Sequence, residues 1–203
     1  MKTLTRYILS ITAFFCAAVN LQAQQPVAGD RAPDFTLNNA LGQPISLKSF
    51  NGKTVVLEWF NPGCPFVKKF YSKGDMPKFQ GQARELGAVW LTINSSAPGK
   101  QGHISADEAA VVAKESGLNP EHLLLDPEGK VGRAYGAKTT PHIFVVDSKG
   151  MLAYTGAIDN TPSTSSDDIA QASNYALSAV KALASNSRPD PANTDSYGCS
   201  VKY

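Results

Sequence analysis

A cysteine stands where a buried strand gives way to a helix. Cys64 lies between Gly63 and Pro65, just after the β-branched and aromatic run 54–60. Pro65 suits the first position of a helix, because an N–H there would have no partner within the helix. The free N–H groups and the dipole at a helix start favour a thiolate over a thiol. The sequence therefore predicts that Cys64 is a thiolate nucleophile, as used in disulfide exchange or peroxide reduction.

An acidic residue interrupts the apolar run that precedes this cysteine. Glu58 lies six residues before Cys64. A buried carboxylate is costly unless it is paired or protonated, so a raised affinity for protons would suit Glu58 to relay protons to a nearby thiol. The alternative is that Glu58 reaches solvent, or pairs with a lysine at the edge of the sheet. The sequence leaves both open.

A proline precedes another apolar strand. Pro141 follows Thr140 and comes just before the run 143–146. Because proline cannot donate to the hydrogen-bond ladder of a sheet, it needs a special geometry in this place. A cis peptide bond between Thr140 and Pro141 is one solution.

The elements that would position these residues alternate between strand and helix. This pattern favours an α/β fold with one central sheet between helices and a hairpin near its end. Strands are expected at 34–37, 45–47, 54–60, 88–93, 123–125, 143–146 and 152–158, and helices at 66–71, 76–86, 105–116, 130–135 and 167–184. A polar segment, residues 186–203, follows as a tail that carries Cys199 and is expected to be mobile.

The N-terminus has the pattern of a secretory signal peptide. Two basic residues, Lys2 and Arg6, precede an apolar stretch that is too short to span a bilayer, and small residues follow as far as Ala23. Residues 1–23 are therefore predicted to be a signal peptide and 24–185 the folded domain, in a periplasmic or secreted protein. The alternative is an N-terminal anchor helix. After cleavage no membrane span is expected.

Composition narrows the classes of function. The chain has 203 residues, of which 42% are hydrophobic and 18% charged, enough apolar surface to build a core. The formal net charge is +2, and acids and bases balance once the signal peptide is removed. No basic run is present, so nothing indicates a nucleic-acid partner.

These residues together resemble the thioredoxin superfamily, and more narrowly the peroxiredoxin-like redoxins of the alkyl hydroperoxide reductase and thiol-specific antioxidant group. The resemblance rests on APDFTL, ISLKSFNGKTVVLEWFNPGCPFVKKF, TTPHIFVVDSKG and GCSVKY. It implies a thioredoxin-like fold, a central mixed β-sheet flanked by helices, with an N-terminal β-hairpin extension. It also implies that Cys64 is the first cysteine of the CxxC motif, Glu58 the buried acid and Pro141 the cis-proline that faces the active site.

The sequence departs from this family pattern in two ways. Val67 takes the place of the second cysteine, which excludes the usual disulfide within the motif. The Pro-x-x-x-Thr-x-x-Cys signature of true peroxiredoxins is missing, and Arg133 is expected on a different element from the Pro141 strand. Cys199 is thus left as the partner of Cys64, either resolving a mixed disulfide or sulfenic acid, or forming a permanent structural disulfide.

The expected function is an exported thiol-disulfide oxidoreductase with Cys64, Cys199, Glu58 and Pro141 as its catalytic residues. Its partner would be a thiol or disulfide protein or a small oxidant, and no cofactor or metal is expected. The alternatives are a thiol peroxidase, and a non-enzymatic binding module with a structural disulfide. A copper-delivery role would use Cys64, Cys199 and His142, whereas His142 alone either tunes the thiolate or is an ordinary strand residue.

Two lysines follow Cys64 on the expected helix. Lys68 and Lys69 add positive charge on that side, and they are most simply interpreted as a solvated face of the helix.

Overall fold

A computed structural model describes residues 25–203 of the chain. The predicted signal peptide, residues 1–23, lies outside these residues. Within them, no helix has the length and apolar character needed to cross a membrane. The strands are β1 (Thr36–Asn39), β2 (Pro44–Ser46), β3 (Val55–Trp59), β4 (Val89–Asn94), β5 (His122–Leu125), β6 (Thr139–Thr140), β7 (His142–Val146), β8 (Leu152–Gly156) and β9 (Cys199–Ser200).

Seven strands form one mixed sheet in the order β2-β1-β5-β4-β3-β7-β8. Strands β3, β4 and β5 run parallel, while β7 is antiparallel to β3, and β8 to β7. The hairpin β1–β2 adds to the free side of β5 and forms the expected N-terminal extension. Every residue of β3, β4 and β7 is buried, as expected for strands that are covered on both faces.

In the described part of the chain, five α-helices cover the sheet: α1 (Pro65–Tyr71), α2 (Asp75–Glu85), α3 (Ala106–Glu115), α4 (Lys130–Tyr135) and α5 (Tyr175–Ala184). The predicted start of α3 is confirmed, since Ser105 and Glu108 form a reciprocal capping box. The prediction of one helix over 167–184 is wrong. A 3-10 helix covers Ser166–Gln171, and α5 begins separately because the side chain of Asn174 accepts a hydrogen bond from the amide of Leu177.

The C-terminal tail packs against the domain. Strand β9 pairs antiparallel with β6, a short strand that lies outside the main sheet, so that Cys199 stands opposite Thr140. Beyond β9, the carbonyl of Lys202 accepts from the amide of Ala97 (2.7 Å), and the hydroxyl of Tyr203 donates to the carbonyl of Ala137 (2.8 Å). The expectation of a mobile tail is therefore wrong, because these main-chain pairs to distant segments have no local signature.

Candidate functional site

The turn that carries Cys64 is tied down by a buried asparagine. The side chain of Asn61 accepts from the amide of Gly63 (2.8 Å) and donates to the carbonyl of Gln101 (3.1 Å). The carbonyl of Asn61 also accepts from the amide of Cys64 (3.1 Å). Cys64 is thus the N-cap of α1, with Pro65 in the first helical position, as predicted.

Three segments far apart in sequence meet at the Cys64 sulfur. As a thiol, Cys64 donates to the carbonyl of Thr140 (3.1 Å), the residue before Pro141. The Thr140–Pro141 peptide bond is cis, as the resemblance to redoxins implies. Cys199 lies across the β6–β9 pair from Thr140 and packs into the same apolar cluster as Cys64. Cys64 is only 1% exposed, whereas Cys199 is partly exposed, and both are thiols in the structure.

The two thiols differ in acidity. Burial opposes ionisation of Cys64, but hydrogen bonds outweigh it and lower its pKa, with the Cys199 side chain the largest contributor and the amides of Cys199 and Val67 adding to it. Burial raises the pKa of Cys199 to about 11, together with its hydrogen bond to Cys64 and the charge there. Of the two thiols, Cys64 is therefore the one that loses its proton more readily.

Glu58 is fully buried in β3 and meets neither solvent nor a lysine. The hydroxyl of Tyr71 donates to Oε1 (2.8 Å), and the indole N–H of Trp90 donates to Oε2 (2.8 Å). Thr92 and Gln80 are further donors to Oε2, at 3.1 and 3.4 Å. Burial raises the pKa of Glu58, and these donors offset only part of that effect. The ring of Tyr71 packs on Phe60, which belongs to the apolar cluster around Cys64.

His142 lies at the start of β7 and carries no charge at neutral pH. Its Nδ1 accepts from the amide of Lys138 (3.2 Å), and burial lowers its pKa to about 3. A neutral imidazole offers no positive charge to Cys64, so His142 is better described as an ordinary strand residue. Within residues 25–203, no three histidine, cysteine, aspartate or glutamate side chains come together as metal ligands. The copper arrangement of Cys64, Cys199 and His142 is therefore not formed.

The two lysines after Cys64 differ in their surroundings. Lys68 is exposed, as expected. The interpretation of Lys69 as solvated is wrong, since it is 2% exposed. Its Nζ lies 3.4 Å from Oδ2 of Asp159 and donates to the carbonyl of Thr161 (2.7 Å). No local pattern indicates this burial, because the partners of Lys69 lie 90 residues or more away in the chain.

The comparisons with known proteins agree with this geometry. The sequence model of the AhpC/TSA family matches residues 28–155, more than half of the chain. The chain belongs to the AhpC/TSA family. The resemblance to redoxins is thereby confirmed, and the family match includes the elements that hold Glu58, Cys64 and Pro141. The tail with Cys199 lies beyond the matched region.

Curated relatives of this AhpC/TSA chain include two proteins named thiol-disulfide oxidoreductase ResA. The protein from Halalkalibacterium halodurans is 24% identical over 136 residues, which cover 64% of this chain and 70% of that protein. The protein from Bacillus thuringiensis is 24% identical over 134 residues, covering 61% of this chain and 66% of that protein.

Solved structures show the same fold. A hypothetical protein from Sinorhizobium meliloti 1021 matches with a TM-score of 0.73 and 25% identity, over 89% of this chain and 96% of its own. A crystal structure named as a thiol:disulfide interchange protein DsbE, from Chlorobium tepidum, matches with a TM-score of 0.53 and 23% identity over 64% of this chain and 85% of its own. The predicted thioredoxin-like fold is confirmed.

Sequence reasoning missed several residues that hold this site together. Asn61 fixes the turn before Cys64. Tyr197, two residues before Cys199, donates a hydrogen bond to Asp159. Asn61 directly precedes a Pro-Gly turn, a local signal that was available. Arg133 stacks on the ring of Tyr203, 4.4 Å from its centre, and so helps to hold the tail.

Proposed function

We propose that this protein is a thiol-disulfide oxidoreductase that works through a reversible disulfide between Cys64 and Cys199. The observation that carries the proposal is the placement of Cys199 in the same apolar cluster as Cys64 and directly opposite Thr140, whose carbonyl accepts from the Cys64 thiol. The lowered pKa of Cys64 and the raised pKa of Cys199 support it. Membership in the AhpC/TSA family and the ResA relatives, named thiol-disulfide oxidoreductases, support it.

The difference in exposure decides which sulfur meets a partner while the tail is docked. In the oxidised form, a partner thiolate attacks the sulfur of Cys199, because Cys64 is buried. The Cys64–Cys199 bond breaks and its electron pair leaves on Cys64, which is the better leaving group because its pKa is lower. The second thiol of the partner loses its proton to solvent and attacks the mixed disulfide. The partner becomes a disulfide, and Cys199 takes up a proton.

The same steps in reverse would reduce a partner disulfide. Cys64, the more acidic thiol, then loses its proton, attacks the sulfur of Cys199 in the mixed disulfide and releases the reduced partner. A direct attack of Cys64 on a partner requires the tail to move away first, because β9 covers it. The partner proposed is a thiol or disulfide protein, with a small oxidant as the alternative.

Glu58 and Pro141 are proposed to support this chemistry from positions around Cys64. We assign Glu58 the role of a proton reservoir, because burial favours its protonated form. Pro141 directly follows Thr140, whose carbonyl accepts from the Cys64 thiol and which pairs with Cys199 across β6 and β9.

Export is proposed on the signal-peptide pattern of residues 1–23, in a compartment where disulfides persist. N-terminal sequencing of the protein from a cell-envelope fraction checks it. A mature chain that still begins at Met1 would count against export.

Transfer of the disulfide to a dithiol peptide tests the proposed activity. The oxidised protein is mixed with a peptide that carries two thiols, and the oxidised peptide is measured by mass spectrometry. About one peptide disulfide per protein is expected from the wild type, and none from Cys64→Ser or Cys199→Ser, since neither variant can hold the bond. Ser200→Ala is the control, because it changes the neighbour of Cys199 and keeps both thiols.

Two results of this assay would contradict the proposal. A Cys64–Cys199 bond that the peptide leaves intact would indicate a structural disulfide and the binding-module alternative. Transfer that persists in Cys64→Ser would show that another group carries the reaction. Replacing the peptide with hydrogen peroxide tests the peroxidase alternative, which requires oxidation of Cys64 at a rate well above that of a free thiol.

A further inference from the structure

A buried ion pair joins the helix that begins at Cys64 to the loop that follows β8. Lys69 is on the second turn of α1, and Asp159 lies beyond the end of β8. Both side chains are at most 2% exposed. Asp159 is fixed further by the amide of Thr161, which donates to its Oδ1 (2.9 Å).

The tail closes this arrangement from the other side. The hydroxyl of Tyr197 donates a hydrogen bond to Oδ1 of Asp159. The ring of Tyr197 lies 5.8 Å from Nζ of Lys69 and packs edge-on against Phe66 of α1, at 5.9 Å between centres. Tyr197 is two residues before Cys199, and Lys69 is five residues after Cys64. One cluster therefore connects the helix that follows Cys64 to the tail segment that precedes Cys199.

We propose that Lys69, Asp159 and Tyr197 form a latch that positions Cys199 against Cys64. The proposal rests on the proposed exchange function and names positioning residues for it. An ion pair removed from water is a poor source of stability, because desolvation offsets much of its attraction. The buried ion pair instead favours one position of the tail, because a shift of Tyr197 would leave a polar atom of the cluster buried without its hydrogen bond. An apolar contact at the same place has no preferred direction and would allow the tail more than one position.

The hydroxyl of Tyr197 can be removed with little change of shape. In Tyr197→Phe the tail should dock less often, so that Cys64 becomes open to alkylation. The rate of Cys64 carbamidomethylation is measured at a series of pH values, with mass spectrometry to identify the modified cysteine. At high pH the rate reaches a plateau, and this plateau reports access to the sulfur independently of its pKa. We expect this plateau to rise on the order of tenfold, as for the loss of a hydrogen bond to a charged group.

Tyr135→Phe is the matched control. It removes one hydroxyl that donates to the carbonyl of Pro33 (2.7 Å), outside the tail, and should leave the plateau unchanged. Exchange of the Val201 amide, which donates to Lys138 across the docked tail, gives a second measurement and should be faster in Tyr197→Phe. The equilibrium constant for forming the disulfide with glutathione should fall in the same variant.

An unchanged plateau in Tyr197→Phe overturns the latch, as does an equal rise in Tyr197→Phe and Tyr135→Phe, which would indicate general loosening. Alkylation requires no exchange activity. A wild type that fails to oxidise the dithiol peptide, combined with a raised plateau in Tyr197→Phe, therefore leaves the latch standing and removes the proposed function. A wild type that oxidises the dithiol peptide, combined with an unchanged plateau in Tyr197→Phe, overturns the latch and leaves the proposed function standing.

Discussion

Two buried groups at this site are driven toward opposite protonation states by their surroundings. Hydrogen bonds lower the pKa of Cys64 in spite of burial, whereas burial raises the pKa of Glu58 in spite of its hydrogen bonds. The direction of each pKa shift depends on whether hydrogen bonds to the charged form outweigh the loss of hydration on burial. A thiol that ionises more readily and a carboxyl group that holds its proton more tightly, in one small domain, are suited to a reaction in which a proton must be kept available.

The charge state of Glu58 has a consequence for stability. A raised pKa means that the folded protein binds this proton more tightly than the unfolded chain does. Glu58 therefore adds stability that is complete below its ordinary pKa of 4.5 and is lost as the pH rises through the folded-state pKa. Glu58→Gln cannot titrate. We expect the unfolding free energy of the wild type, relative to the variant, to fall as the pH rises from about 4.5.

Urea unfolding of both proteins at several pH values between 4.5 and 9 measures this difference, in which the other titrating groups cancel. A difference that stays constant over this range would contradict the raised pKa, and with it the role of Glu58 as a proton reservoir.

At the level of elements, the site depends on how closely β9 approaches β6. Gly198 has a φ of 134°, and a Cβ atom there would lie 2.2 Å from the carbonyl oxygen of Thr140. That oxygen is also the acceptor for the Cys64 thiol. Only glycine lets the tail come this near to the segment before Pro141, since both the backbone conformation and the space exclude a side chain.

Gly198→Ala should therefore separate β9 from β6. The variant is expected to lose at least about 2 kcal/mol of unfolding free energy and to form the Cys64–Cys199 bond more slowly in glutathione buffer. Gly29→Ala is the control, because Gly29 also has a positive φ, 105°, but nothing lies within 4 Å of the added Cβ. Equal effects of the two substitutions on bond formation would show that close approach at Gly198 is irrelevant.

Elements with local signals were predictable from the sequence. The helix start at Cys64–Pro65 and the capping box at Ser105 depend on residues a few positions apart, and the structure confirms both. The break between the 3-10 helix and α5 was missed, because the apolar spacing continues across it while Asn174 begins a new helix. Apolar periodicity reports the face of a helix and not its continuity.

At the scale of the whole molecule, the proposed reactive centre combines residues from distant parts of the chain. Cys64 follows the third strand, and Cys199 is near the C-terminus, yet β6 brings them together. Sequence reasoning reached this pair by elimination, after the family resemblance left Cys64 without its usual partner. It did not reach the docked tail or Lys69, because pairing between segments tens of residues apart leaves no periodic pattern in either one.

The docked tail also limits the access of a partner to Cys64, the proposed nucleophile. Main-chain pairing with β9 occupies β6 beside Pro141, so an extended peptide cannot add to that strand while the tail is docked. In the proposed exchange, a partner therefore meets Cys199 first.

The reduction potential of the Cys64–Cys199 pair tests the central claim most directly. The purified protein is equilibrated in glutathione buffers of increasing oxidising strength, quenched with acid, and mapped by mass spectrometry for the bond between these two cysteines. A reversible transition well above about −300 mV is predicted for a pair that exchanges with partners. A bond that remains below about −300 mV, or two thiols that never join, would contradict the account.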